Sequence, residues 1–141
     1  MLDEIGLFDE ALGSYCEDVD LAWRAQLAGY RCRFVPTALV YHKLSATGSG
    51  PVASFFNARN RLAILAKDYP ATLLRRHAVE IVKAQLAITC DAVRAWRGAA
   101  ARATLRGQLA GLLNLPKMLR RRGATQRLKR VSDDYLESIL S

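Results

Sequence analysis

The sequence has few cysteines, and their spacing suggests neither a disulfide framework nor a metal centre. It contains Cys16, Cys32 and Cys90, an odd number, and no two of them form a C-x-x-C pair. Small secreted domains held by disulfides and zinc sites built from thiolates both need more cysteines at paired spacings. These classes are therefore disfavoured, and a reducing cytoplasm is the expected setting.

Long apolar runs are also missing. The most apolar stretch, residues 73–96, is interrupted by six charged side chains, namely Arg75, Arg76, Glu80, Lys83, Asp91 and Arg94. A membrane-spanning helix needs about 20 predominantly apolar residues. The first ten residues carry four acids in place of the basic and apolar regions of a signal peptide. We expect neither a spanning segment nor a signal peptide, and a peripheral position on the inner face of a membrane stays open.

Acidic residues are scarce in one part of the chain. The net charge is +8, but it is unevenly distributed along the chain. Residues 1–70 have a net charge of −1, residues 71–130 of +12 and residues 131–141 of −3. A block of positive charge favours an anionic partner, such as phospholipid, nucleic acid or a phosphorylated substrate. The two halves of the chain are therefore expected to face different partners.

The first half of the chain shows both helical and strand patterns. Helical spacing over residues 17–28 ends before a glycine, and residues 51–67 form a second helical stretch that begins with proline. Between them, residues 30–35 and 37–41 are rich in strand-forming side chains. This order predicts an α/β domain over the first 70 residues.

The second half is predicted to be helical throughout. Its apolar and basic residues recur at helical spacing, which is typical of amphipathic helices with a cationic face. Pro116 is expected to break or restart one of these helices, and Ser132 is a candidate N-cap for a short acidic helix that follows. We interpret residues 1–70 as one unit and residues 71–141 as a basic helical extension.

Three carboxylates stand close together at the start of the first predicted helix. Glu17, Asp18 and Asp20 fall within four residues, where the backbone N–H groups and the helix dipole favour the ionised form. An ionised carboxylate at the mouth of a fold can act as the base that deprotonates a hydroxyl nucleophile. Ordinary capping of a helix start explains the same residues, so composition alone leaves both interpretations open.

His42 stands at the end of the second predicted strand, before a loop rich in glycine and serine. Functional side chains often lie on such loops, and a neutral imidazole binds divalent metal ions well. A single histidine is not a metal site, however, and taken alone His42 is better explained by a structural role at the end of the strand.

The ordered set of these segments resembles the C-terminal part of the catalytic domain of family-2 glycosyltransferases, in the branch of rhamnosyltransferase-like and galactofuranosyltransferase-like enzymes. The matching segments are G-L-F-D-E, Y-C-E-D-V-D-L-A-W-R, A-G-Y-R, V-P and Y-H, in this order between residues 6 and 42. The resemblance covers about residues 3–70 and extends loosely beyond. It implies a GT-A fold and inverting transfer of a sugar from a nucleotide-diphospho-sugar to a hydroxyl of a glycan or lipid-linked acceptor.

The resemblance also implies roles for individual residues. Asp18 would be the base that deprotonates the acceptor hydroxyl, with Glu17 positioning the acceptor beside it. His42 would bind the Mg²⁺ or Mn²⁺ that neutralises the departing diphosphate. Further candidates for contact with substrate are Asp20, Tyr15, Trp23 and Arg59; the alternative for the aromatic side chains is core packing, and for Arg59 a solvated helix face.

The matching segments do not include the half of the family's catalytic domain that binds the nucleotide. The D-x-D in this sequence, Asp18-Val19-Asp20, belongs to the acidic motif itself, so His42 would be left without partner ligands. We therefore expect a fragment with little activity alone. The rival from another class is a non-catalytic basic helical module that binds an anionic membrane or nucleic acid. Nucleic acid is the weaker choice, because no recognition-helix, zinc-finger or RNP-like motif is present.

Overall fold

The computed structural model describes residues 1–41 and 50–140, and in these residues the secondary structure is helical. Seven helices follow one another in the described part of the chain, and no helix there is long and apolar enough to cross a membrane. Their bounds are α1 Leu2–Ile5, α2 Glu17–Leu27, α3 Pro51–Lys67, α4 Ala71–Arg76, α5 Ala78–Arg94, α6 Ala99–Gln126 and α7 Asp133–Ser138.

The predicted α/β fold class is wrong, and the resemblance to family-2 glycosyltransferases is overturned with it. A GT-A fold is built on a β-sheet, whereas the described residues contain no strand. Residues 30–41 were predicted as two strands but are irregular, with a turn in which the N–H of Ala38 donates to the carbonyl of Val35 at 3.0 Å. Strand formers make a strand only where a second backbone pairs with them, and the described part offers none to this segment.

The helix boundaries follow the sequence signals more closely. The prediction for α2 is confirmed to within one residue at its end, where Gly29 adopts a φ of 90° that a side chain would strain. Pro51 begins α3, and the Oγ of Ser132 accepts a hydrogen bond from the N–H of Tyr135 at the start of α7. The predicted break at Pro116 is wrong. α6 continues through it because Gly111 before it and Met118 after it are both buried.

α3 and α6 form the main helix–helix contact of the molecule, and small residues make it close. Ala103, Gly107 and Gly111 recur every four residues on the buried face of α6. A Cβ at Gly107 would overlap the carbonyl oxygen of Phe55, and one at Gly111 would lie 3.0 Å from the carbonyl oxygen of Arg59. The absence of side chains at these two positions therefore lets the backbones of α3 and α6 touch.

The end of α6 and the residues after it pack against the first half of the chain. The Gln126 amide donates to the carbonyl of Asp68 at 2.8 Å, and Arg122 donates to the carbonyl of Tyr69 at 2.7 Å. These bonds satisfy carbonyls just beyond the end of α3. A small apolar core then joins α2, α4 and α7 through Leu27, Leu73 and Leu136, which are fully buried.

A buried cluster of charges lies where α2 and α3 meet the first loop. Lys67 forms ion pairs with Asp9, at 2.6 Å, and with Asp20, and its Nζ lies 3.8 Å from an oxygen of Asp68. Arg24 binds Asp20 at 2.6 Å and donates to backbone carbonyls of the first loop, including that of Leu7 at 2.7 Å. Buried charges persist only when they are paired, so this cluster fixes the first loop against both helices.

The cluster shifts the pKa values of two of its carboxyl groups in opposite directions. Burial raises the pKa of Asp9, but hydrogen bonds from Lys67, the Ala11 N–H and Arg121 outweigh it and hold the value at about 2. Burial raises the pKa of Asp68 to about 8, with Lys67 opposing the rise and Asp20 adding to it. Asp9 is therefore ionised at neutral pH, whereas Asp68 is largely protonated.

Candidate functional site

The loop before α2 is held in a strained shape by two side chains of α3. Tyr15 and Cys16 have φ values of 68° and 64°, in the left-handed region that residues with a side chain rarely adopt. The Asn60 amide nitrogen lies 2.8 Å from the carbonyl oxygen of Tyr15 and 2.9 Å from that of Ser14. Arg59 donates to the carbonyl of Ala11 at 2.8 Å. Strain of this kind is found most often at binding sites.

The strained loop decides how the three acids of the motif are presented. Asp20 lies 200° around the helix from Asp18, since each residue turns about 100°. As a result, Asp20 is fully buried in the charged cluster, whereas Asp18 is exposed. Glu17 is half-buried, and its Oε2 is buried without a hydrogen-bond partner in the described part of the chain. The structure therefore leaves Asp18 and Glu17 near one another but turns Asp20 inward.

Asp18 and Glu17 border a cleft of about 440 Å³ at the start of α2. Besides these two acids, its lining includes the polar side chains of Ser14, Tyr15, Cys16 and Asn57. One buried oxygen of Glu17 lacks a partner among the described residues, and a buried acceptor without a donor costs free energy. A ligand that carries a hydroxyl donor would satisfy it.

Asn57 also lines a second and larger cleft, of about 670 Å³, between α3, α5 and α6. The polar side chains of this cleft are amides, hydroxyls and one guanidinium, contributed by Ser54, Asn57, Arg61, Gln85, Thr104 and Gln108. Because Asn57 belongs to both linings, the two clefts adjoin. Together they form a polar surface that begins at Asp18 and extends over α3, and we call this surface the polar trough.

Cys16 is not prepared for nucleophilic chemistry. Burial raises the pKa of its thiol, and the neighbouring carboxylate of Asp18 raises it further. Its Sγ donates to Oδ1 of the Asn57 side chain at 3.6 Å. The thiolate is the reactive form of cysteine, and the raised pKa keeps Cys16 protonated. Cys16 therefore lines the trough as a thiol.

The other predicted substrate contacts are divided between the trough and the interior. Tyr15 lines the trough beside Asp18. Trp23 packs edge-on against Tyr69, with ring centroids 5.1 Å apart, next to the apolar core of Leu27. Arg59 hydrogen-bonds to the carbonyls of the loop before α2, so it holds the loop that shapes the trough.

The metal site implied by the sequence has no counterpart in the residues that the structure describes. His42 lies outside them, and they contain no cluster of three or more His, Cys, Asp or Glu side chains that could hold a metal ion. The predicted Mg²⁺ or Mn²⁺ site therefore stays a prediction, and no chemical step is assigned to either ion.

Comparison of the chain with protein-family models, with curated proteins and with solved structures found no match.

Several residues of the trough carried no signal in the sequence. Asn57 and Asn60 lie three residues apart on α3, so each falls on a neighbouring part of one face, and one lines the trough while the other holds its loop. Gln85 and Gln108 come from α5 and α6 and meet only because these helices pack together. Only the pairing of helices in three dimensions reveals them.

Proposed function

We propose that this chain supplies the acceptor-binding half of a sugar-transfer site. In this proposal Asp18 is the base for an acceptor hydroxyl, and the donor, a nucleotide-diphospho-sugar, is held by a part of the site outside the described residues. The observation that carries the proposal is the polar trough: an exposed carboxylate at one end adjoins a surface lined by amides and hydroxyls.

The lining of the trough suits a neutral, hydroxyl-rich ligand. Amide side chains both donate and accept hydrogen bonds, as the hydroxyl groups of a sugar do. Asn57, Gln85 and Gln108 supply three such groups, with Ser54 and Thr104 as hydroxyl partners. Arg61 is the one charged side chain among the polar groups of the larger cleft. An oligosaccharide chain, or the sugar end of a lipid-linked acceptor, is the ligand class that this chemistry favours.

The chemical step assigned to this chain is a proton transfer. The acceptor hydroxyl gives its proton to the Asp18 carboxylate as its oxygen forms a bond to the anomeric carbon of the donor sugar. The bond from that carbon to the diphosphate breaks, and the nucleotide diphosphate leaves with the electron pair. A single displacement from the opposite side inverts the anomeric centre. The Glu17 carboxylate accepts a hydrogen bond from a second hydroxyl of the acceptor and so orients that sugar.

The proposal assigns positioning roles to the residues that hold the loop. Asn60 and Arg59 keep the left-handed turn at Tyr15 and Cys16, and this turn directs Asp18 outward. Loss of the Asn60 amide would release the loop, so it should weaken acceptor binding without removing any group that touches the acceptor.

The test is acceptor binding, measured by saturation-transfer NMR with a panel of neutral oligosaccharides and with nucleotide-diphospho-sugars. We expect signal from at least one oligosaccharide, none from a nucleotide-sugar, and no transfer by the chain alone. Asn57→Ala should weaken oligosaccharide binding about fivefold, as loss of a hydrogen bond worth about 1 kcal/mol implies, whereas Asp18→Asn should leave it nearly unchanged. The matched control is Asn114→Ala, a partly exposed α6 position outside both linings.

Two results would contradict the proposal. If no oligosaccharide gave a saturation signal at millimolar concentration, the trough would not be an acceptor site. If Asn57→Ala and Asn114→Ala weakened binding equally, the sugar would bind elsewhere on the surface.

A further inference from the structure

The outer face of α5 carries an apolar stripe that nothing in the described part of the chain covers. Val79, Val82, Leu86 and Val93 are all exposed and recur at spacings of three, four and seven residues. The residues of α5 that pack inward, including the buried Ala92, lie roughly 80–140° around the helix from the members of the stripe. α5 therefore has two apolar faces, of which only one is used in the fold.

α6 continues this apolar surface beside α5. Leu109, Leu112 and Leu113 are exposed on it, and the groove between the two helices, of about 310 Å³, is lined chiefly by Leu62, Leu105, Leu109 and Leu112. Trp96, which is 59% exposed, stands in the connection between α5 and α6. We call this combined surface of α5, α6 and Trp96 the outer face.

Positive charges border the apolar stripe of α5. At about 100° per residue, Lys83 and Arg94 fall about 40–60° from Val79, on the sector next to the stripe. The acids of α5, Glu80 and Asp91, fall on a sector beyond them, and Asp91 pairs with Arg94 at 3.2 Å. On α6, Arg102 and Arg106 are exposed, and Arg102 donates to the carbonyl of Trp96 at 3.2 Å. Residues 71–130 carry a balance of +12 in total.

We propose that the outer face docks on an anionic lipid bilayer. The stripe and Trp96 would enter the boundary between headgroups and acyl chains, and the neighbouring Lys and Arg side chains would contact anionic headgroups. This inference does not depend on the sugar-transfer proposal, although the groove of the outer face adjoins the trough through Gln85 and Gln108.

The chemistry of the outer face favours a bilayer over the two other occupants. Interfaces with nucleic acid are polar and strongly positive, and they would leave Val82, Leu86 and Leu113 without an apolar partner. A second copy of the chain would bring two cationic faces together, and like charges oppose such contact. Only an anionic bilayer offers apolar depth and negative charge on the same surface.

The experiment uses the full chain with Trp23→Phe, so that Trp96 is the single tryptophan. The protein is titrated with vesicles of phosphatidylcholine alone and of phosphatidylcholine with phosphatidylglycerol. We expect the emission of Trp96 to shift to the blue with anionic vesicles only and to be quenched by brominated acyl chains. High salt should weaken the binding, because the electrostatic part is screened.

Matched variants assign the binding to the outer face. Lys83→Gln should weaken the affinity for anionic vesicles on the order of fivefold, the effect of one Lys or Arg at such a surface, whereas the exposed Arg33→Gln should not change it. Leu86→Ser should also weaken binding, whereas Phe34→Ser, at an 85% exposed position far along the chain from α5, should not.

Three outcomes would overturn the proposal. The first is equal binding to neutral and anionic vesicles, or to neither. The second is tight binding to a DNA or RNA duplex with no change in the emission of Trp96. The third is a dimer in sedimentation experiments in which Trp96 is already shielded from aqueous quencher without lipid.

Discussion

The two sides of α6 are built in contrasting ways. Towards α3, glycines bring the backbones into contact, and a cluster of buried charges lies at the far end of α3. Towards α5, the contact is looser, a groove stays open between the helices, and apolar side chains face outward. The closest contacts of α6 are thus made with α3, while apolar side chains stay exposed on the α5 side of the described residues.

The sharpest test of this contrast compares one lysine on each side. Lys67→Met leaves the buried carboxylates near it without their cation, and we expect the free energy of unfolding to fall by about 3–5 kcal/mol. Lys83→Met, on exposed α5, should change it by less than about 0.5 kcal/mol. Urea denaturation followed by circular dichroism measures both. Equal losses would show that the charged cluster does not hold the fold.

A second pair of variants tests the close contact of α3 and α6. Gly107→Ala places a Cβ against the carbonyl of Phe55, and overpacking of this kind costs about 1–3 kcal/mol. Gly123→Ala, in the same helix, meets only the flexible end of Arg127 at 4.0 Å. That variant should gain up to about 1 kcal/mol from helix propensity. Thermal denaturation of the two proteins should therefore shift in opposite directions, and a shared direction would contradict the proposed packing.

The pH dependence of stability should also differ between the two sides. The pKa of Asp68 is about 8 in the folded protein, above its ordinary value of 3.8. Between these values the unfolded chain loses the Asp68 proton while the folded chain keeps it, so this group lowers stability as pH rises, by roughly 1 kcal/mol per pH unit. Asp68→Asn should flatten the decline in unfolding free energy between pH 6 and pH 8, whereas the exposed Asp91→Asn should leave it unchanged. Identical slopes in all three proteins would refute this assignment.

The sequence predicted local structure well wherever the signal was local. Pro51, Gly29 and Ser132 mark helix ends because they act on their own few neighbours. The strand prediction for residues 30–41 was wrong because a strand also depends on a partner backbone. The predicted break at Pro116 was wrong for a similar reason. Packing of buried residues on both sides of Pro116 outweighs the free-energy cost of a proline inside α6.

The candidate site was predicted only in part. Asp18, Glu17 and Tyr15 lie together in the trough, as their proximity in the sequence suggested. Asp20 was predicted as a candidate substrate contact but is buried in the charged cluster, and its partner Lys67, 47 positions away, gave no signal. The amide side chains of the trough come from three helices, and the second apolar stripe of α5 became visible only once its inner face was known. The role of His42 stays a prediction, because that residue lies outside the described part of the chain.

α3 connects features that are otherwise far apart. Its first half borders the trough through Asn57, its middle holds the strained loop through Asn60, and its last residue, Lys67, enters the charged cluster. About ten residues separate Asn57 from Lys67, which corresponds to roughly 15 Å along the helix. Asp68 directly follows α3, so the charged cluster and the loop that presents Asp18 are anchored to one helix.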